Sequence, residues 1–182
     1  MKVRLLLLMA LLALVRLASA TEDDGMSNYR LGAGDTISIT VYDEKELSLE
    51  KVKLSDAGTI SYPVLGELRV LGLTVSDLQK KVTDGLKGSY LVDPKVTVSI
   101  EQYRDFFVNG QVNKPGNYPY QPGLTVRKAV SIAGGFRDRA KRDEAYIIHE
   151  NQSPQDKPEP VTGTLNTPIE PGDTITIEES FF

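Results

Sequence analysis

The chain has no cysteine and no tryptophan, and His149 is its one histidine among 182 residues. Without thiols there can be no disulfide to staple the fold, no thiolate metal site and no N-terminal cysteine to carry a lipid, so a secreted form must be held by its core alone. With a lone imidazole and no Gly-x-Ser-x-Gly stretch, nucleophilic triad chemistry lacks its base-plus-nucleophile signature. A single histidine on a strand reads as packing or surface. Positive charge is short too, with 21 basic residues against 25 acidic ones. That balance argues against nucleic acid as a partner, because phosphate neutralisation needs clustered Lys and Arg.

Long apolar runs are equally scarce. Residues 5–15 form one, but it falls short of the roughly 18 residues expected of a spanning helix. Lys2 and Arg4 precede it and Ala18-Ser19-Ala20 follows it as a small-x-small cleavage site, the layout of a secretory signal over residues 1–20. Cleavage between Ala20 and Thr21 would remove Lys2, Arg4 and Arg16, after which the acidic residues outnumber the basic ones by 7. Arg16, close to the cleavage site, keeps an uncleaved N-terminal anchor open as the alternative. The whole chain is 40 % hydrophobic and 25 % charged, ordinary for one or two globular domains.

The remainder is organised around a stretch beginning at Tyr29. Gly32-Ala33-Gly34-Asp35 makes a turn that runs into strict alternation, with Ile37, Ile39 and Val41 on one side and Thr36, Ser38, Thr40 and Tyr42 on the other. This is a half-buried strand launched from a tight turn. The same device returns near the end, where Pro171-Gly172-Asp173-Thr174-Ile175-Thr176-Ile177 repeats Gly-Asp-Thr-Ile and its alternation. Asp35 and Asp173 read as Asx turns, bonding their own turn backbone. Gly32-Ala33-Gly34 lacks the third glycine and the following helix of a phosphate-binding loop.

In chain order, residues 21–28 form a polar, acidic arm. Residues 43–50 are charged and loop-like, and Asp56-Ala57-Gly58 between two short alternating runs predicts a hairpin joining residues 51–54 to 59–62. Residues 65–70 read as a further short strand. Thr74 is an N-cap with Asp77 as its capping-box partner, and Val75, Leu78, Val82 and Leu86 line one face of a helix. Val96, Val98 and Ile100 alternate as a strand, completing a first unit over 29–102.

The second unit, 103–182, starts with a strand over 107–111 and a short edge strand over 117–120. Gly123-Leu124-Thr125-Val126 then repeats the Gly72-Leu73-Thr74-Val75 of the first unit and opens a helix with Val126, Ala129, Val130 and Ala133 on its apolar face. Gly134-Gly135 stops it. A strand over 145–149, a proline-rich loop over 151–163 and the closing Gly-Asp-Thr-Ile strand follow. The predicted fold class is α+β with mostly antiparallel strands, as two small sheet-plus-helix domains in series. Duplication and a shared turn solution both give this pattern.

Tyr29, Tyr42, Tyr62, Tyr118 and Tyr120 lie on strands, where edge packing is the first reading and stacking on sugar rings the second. Phe181 and Phe182 read as packing under the last sheet or docking on a partner. Carboxylates are abundant, and sequence spacing says nothing of their spacing in space. No residue is singled out as catalytic, cofactor-binding or metal-binding.

Several motifs now fall in a familiar order. Tyr29-Arg30-Leu31-Gly32-x-Gly34-Asp35, Asp56-x-Gly58-Thr59-Ile60-x-x-Pro63-x-x-Gly66, Gly72-Leu73-Thr74 and Tyr90-Leu91-Val92-Asp93-Pro94-x-Val96 closely resemble the polysaccharide biosynthesis/export domain. That is the first domain of the outer-membrane polysaccharide export proteins of Gram-negative bacteria. Val108-x-Gly110-x-Val112-x-x-Pro115-Gly116-x-Tyr118, Gly123-Leu124-Thr125, Ala133-Gly134-Gly135-Phe136 and Pro171-Gly172-Asp173 resemble the β-grasp-like SLBB module that follows it in that family.

The resemblance implies a non-enzymatic component of an exopolysaccharide or capsular polysaccharide export machinery, in the periplasm or associated with the outer membrane. It implies polysaccharide as cargo, an inner-membrane polysaccharide co-polymerase as feeder, a homo-oligomeric ring or adaptor as the working form, and no cofactor. The family's large members cross the outer membrane with a C-terminal amphipathic helix, and many are lipoproteins. Nothing after Phe182 supplies that helix and no cysteine supplies the lipid, so the expectation is a short form that hands its cargo to a separate outer-membrane β-barrel. Two readings from other classes stand beside it. One is a periplasmic glycan-binding or regulatory module, the other a carbohydrate-active enzyme built on a carboxylate pair.

Overall fold

The computed structural model describes residues 29–150 and 159–180. The signal segment with Ala20 and Thr21, the arm 21–28, residues 151–158 of the proline-rich loop, and Phe181 and Phe182 lie outside the described residues.

The first sheet has three strands. Strand β1 (Thr36–Val41) is central, flanked by β2 (Leu49–Lys53) and β5 (Val96–Gln102), all antiparallel. The alternation read from the sequence is the burial pattern: Ile37, Ile39 and Val41 are buried while Thr40 faces out. A short 3-10 turn (Lys45–Leu47) occupies the charged stretch between β1 and β2. β2 carries one residue more than β1 opposite it, and Lys51 sits at φ 51°, the mark of a bulge that twists an edge strand.

The expected hairpin across Asp56-Ala57-Gly58 is corrected. Both runs and the turn exist, but β2 spends its ladder on β1, and β3 (Thr59–Tyr62) pairs instead with β4 (Gly66–Arg69) as a separate two-stranded ribbon. The turn is tied off locally, with Ser55 N–H donating to the Thr59 carbonyl, and the Gly58 carbonyl accepts from Val70 and Leu71. An Asp-x-Gly signal fixes a reversal of direction, while the strand that pairs is chosen by the competition for partners.

Helix α1 (Val75–Leu86) follows, begun by the predicted capping box. Thr74 Oγ1 accepts from Asp77 N–H and the Asp77 carboxylate accepts from Thr74 N–H. Leu78, Val82 and Leu86 are fully buried on its inner face, against β5 and the β1 side chains. Together they close the first core.

The second sheet has strand order β7-β6-β10-β8-β9: β6 (Phe106–Gly110), β7 (Gly116–Tyr118), β8 (Glu144–Ile148), β9 (Val161–Thr164) and β10 (Thr174–Ile177). β10 enters between β6 and β8, parallel to β6 and antiparallel to β8. Two hairpin-type pairs with the final strand inserted between them and a helix laid across one face is the β-grasp arrangement. Helix α2 (Val126–Ile132) covers the sheet, burying Val126, Ala129 and Val130 against Phe106, Val108, Ile147, Ile175 and Ile177. β9 is the second correction. The proline-rich run predicts loop over 161–163, yet Val161-Thr162 is β-branched and pairs with β8. The two cores are separate clusters. No helix among the described residues is long and apolar enough to cross a membrane.

Candidate functional site: the joint between the two units

The two Gly-Asp-Thr-Ile turns have the same construction. In the first, Gly34 takes φ 90°, Asp35 N–H donates to the Gly32 carbonyl at 3.2 Å, and Gly32 N–H donates to Asp35 Oδ2 at 2.8 Å. In the second, Gly172 takes φ 88°, Asp173 N–H donates to the Glu170 carbonyl at 3.2 Å, and Glu170 N–H donates to Asp173 Oδ2 at 2.7 Å. Each aspartate bonds its own turn as expected. What the sequence did not disclose is that both are fully buried, and that each spends its remaining oxygen on a group from elsewhere.

Asp35 Oδ1 accepts from the backbone N–H of Arg104 at 2.8 Å, and Oδ2 also accepts from the Tyr29 hydroxyl at 2.6 Å. The Arg104 guanidinium reaches Asp35 Oδ2 at 3.4 Å and the Tyr29 oxygen at 2.8 Å through Nη1, while its Nε donates to Glu150 Oε2 at 2.6 Å. Asp173 Oδ1 lies 2.8 Å from His149 Nδ1. Burial pushes the Asp173 carboxyl above the usual carboxylate range, against the bonds from Glu170 and His149 that pull it down.

Arg104 therefore sits between the two turns and belongs to the short connection from β5 to β6. A Cβ on Gly32 would collide with its guanidinium, and one on Gly172 would collide with the Glu150 carboxylate and come within 2.7 Å of Arg104 Nε. Glycine at these two places is what lets the turns close on the arginine. Beside it runs a ladder of rings: Tyr29 meets Tyr103 edge-on at 5.0 Å, and Tyr103 meets Tyr120 edge-on at 5.5 Å. Such pairs add about 0.5–1.5 kcal/mol each beyond burial. Burial raises the pKa of all three phenols, and for Tyr29 the bond to Asp35 adds to the rise.

A cleft of about 350 Å³ opens at this joint. Lys53, Gln102 and Arg104 line it with Asp105, Phe107 and Glu150. Phe107 is 45 % exposed, and Asp105 Oδ2 accepts from Asn117 Nδ2 at 2.7 Å. The cleft thus offers two cations, two carboxylates, an amide and an apolar ring face.

The tyrosines singled out in the sequence divide. Tyr62 is buried, donating to the Leu47 carbonyl at 2.6 Å, and Tyr118 packs on Phe106 with ring centres 5.9 Å apart. Tyr29 and Tyr120 belong to the joint, and Tyr42 alone of the five projects into solvent, 76 % exposed. His149, read as packing or surface, is the partner of a buried carboxylate. Among the described residues no group of three or more His, Asp or Glu is placed to hold a metal ion. Arg104, Tyr103 and Glu150 went unnoticed in the sequence, since they lie outside any periodic segment and Arg104 meets partners 69 and 46 residues away. The one available signal was the recurrence of the Gly-Asp turn at the start of each unit's key strand.

Comparison with known proteins places both units. The family profile described as polysaccharide biosynthesis/export protein matches residues 23–101, and the SLBB domain profile matches residues 106–164. The chain is 36 % identical over 146 residues to the exopolysaccharide production protein ExoF of Rhizobium meliloti (strain 1021), covering 72 % of this chain and 33 % of that protein. It is 29 % identical over 133 residues to the EPS I polysaccharide export outer membrane protein EpsA of Ralstonia nicotianae (strain ATCC BAA-1114 / GMI1000), covering 59 % of this chain and 35 % of that one. The chain spans about a third of the length of these relatives.

Proposed function

Because the chain belongs to the polysaccharide biosynthesis/export family, with an SLBB domain behind its export domain, we propose that it serves in moving an exopolysaccharide or capsular polysaccharide across the envelope of a Gram-negative bacterium. It works in the periplasm or at the outer membrane as an oligomeric ring or adaptor. It receives chain from an inner-membrane polysaccharide co-polymerase and delivers it to an outer-membrane β-barrel. The observation that carries this reading is the order of the two matched domains, supported by relatives whose names speak of exopolysaccharide production and export. In this reading the domains run 29–102 and 103–182, behind a signal cleaved between Ala20 and Thr21. The role is one of conduction and handover, with no catalytic step.

The test is the partition of polysaccharide between medium and cells in a strain lacking the chain and in the same strain restored with the full sequence. Loss of the secreted pool while repeat units are still made is the expected result. Unchanged secretion overturns the reading. The cleft at the joint favours one second reading, a glycan-binding or regulatory module. A monomer that binds oligosaccharide, in cells whose secretion is intact, would support that one instead.

A further inference from the structure

The geometry points to the cleft at the joint as a binding site for a carboxylate-bearing sugar, a hexuronate unit, held by the Nε–Nη2 edge of Arg104. The inference rests on the proposed export role for the choice of a sugar, and on the following observations for the carboxylate.

Among the described residues, the hydrogen bonds of the Arg104 side chain run from Nη1 and Nε. Nη2 has no partner among the described residues, and no fully buried side-chain nitrogen or oxygen is left without one. Nη2 is therefore not fully buried, in a side chain that is 10 % exposed overall, and the space that Arg104 lines is the cleft. An arginine edge presents two parallel N–H donors at the spacing of two carboxylate oxygens. Here one of them, Nε, is taken by a single oxygen of Glu150, whose side chain is 52 % exposed, and the other is vacant. Glu150 fills half of a two-pronged site and can swing away into solvent.

The surroundings suit a sugar acid. Lys53 lines the same cleft, and its side-chain ammonium has no ion pair or hydrogen bond among the described residues, so it draws anions without being spent on the fold. The half-exposed face of Phe107 offers an apolar platform for a pyranose ring, and Gln102 offers an amide for hydroxyls. About 350 Å³ lies within the range of small-molecule sites. Asp105 and Glu150 oppose a second negative charge, which makes the site weak and exchanging, as suits a polymer that must pass on. Displacing Glu150 would also relax one of the links between the two units.

Titration of the purified full chain with tri-galacturonate, with a neutral galactose trisaccharide and with acetate, read by calorimetry and by amide shifts around Arg104 and Phe107, tests this. The expected result is acidic trisaccharide binding at least about tenfold tighter than the neutral one, the worth of one charge-assisted pair. Lys53→Gln should weaken that binding several-fold, and Glu150→Gln, which removes the competing carboxylate, should strengthen it. Equal affinity for the two trisaccharides overturns the inference. So does acetate matching tri-galacturonate, which would mark a bare anion site, and so does an absence of binding at millimolar concentration in both the native chain and Glu150→Gln. These outcomes leave the export role standing, because that role is read from secretion in cells.

Discussion

Tyr29 donates its phenol proton to a carboxylate with no access to water and accepts from Arg104 with the same oxygen. Tyr29→Phe removes both bonds and leaves Asp35 one donor short, at a cost of about 1–3 kcal/mol, measurable by urea unfolding at neutral pH. Burial, then the Asp35 bond, hold the folded phenol protonated above its ordinary range. The unfolded chain ionises first, near pH 10, so the native protein loses stability as pH rises past about 10. The Phe variant should show a shallower loss there, the remainder coming from Tyr62, Tyr103 and Tyr120, whose phenols are also raised. Asp173 behaves oppositely to a paired surface carboxylate. Its folded pKa is raised, so as pH climbs through the usual aspartate range the unfolded chain ionises before the folded one and stability declines, levelling once the folded carboxyl also ionises. Asp173→Asn should remove the decline that sets in above the ordinary aspartate pKa of about 4, seen as a flatter curve of melting temperature against pH.

At the scale of elements, α1 tests how far local rules carry. Thr74→Ala removes the acceptor for Asp77 N–H and should cost about 1 kcal/mol. The Thr74 bonds hold the Asp77 carboxyl below its usual range. The reciprocal half of the box is therefore lost as pH falls through that lowered value, and the effect of the substitution, followed by thermal unfolding, should shrink in acid. This helix, β1, β5 and β10 were legible because their signals are local: a 3.6 period, a cap, a strict alternation. The pairing of β3 with β4 was not, because the residues of β2 carry the same alternation whether they face β1 or β3. β9 was hidden by prolines a few residues upstream, and its pairing to β8 is a tertiary choice. The joint stayed hidden for the same reason at greater distance. The turn around Asp35 reads from four residues, but the arginine that completes it is supplied by the connection between the two sheets.

For the whole molecule, the connection between separate cores is concentrated in Arg104 and the three rings beside it. Arg104→Ala keeps the backbone bond to Asp35 but removes the side-chain bonds to Tyr29, Asp35 and Glu150. A loss of about 2–4 kcal/mol is expected. In calorimetry the variant's unfolding should be broader than the native chain's or split in two, as two cores with a weakened link melt separately. The insertion of β10 beside β6 has a mechanical consequence. The first and last strands of the second unit run in the same direction as neighbours, so tension drawing the start of one away from the end of the other loads their whole ladder in shear. Every bond must then yield together, where a hairpin pulled from its open end would unzip one rung at a time.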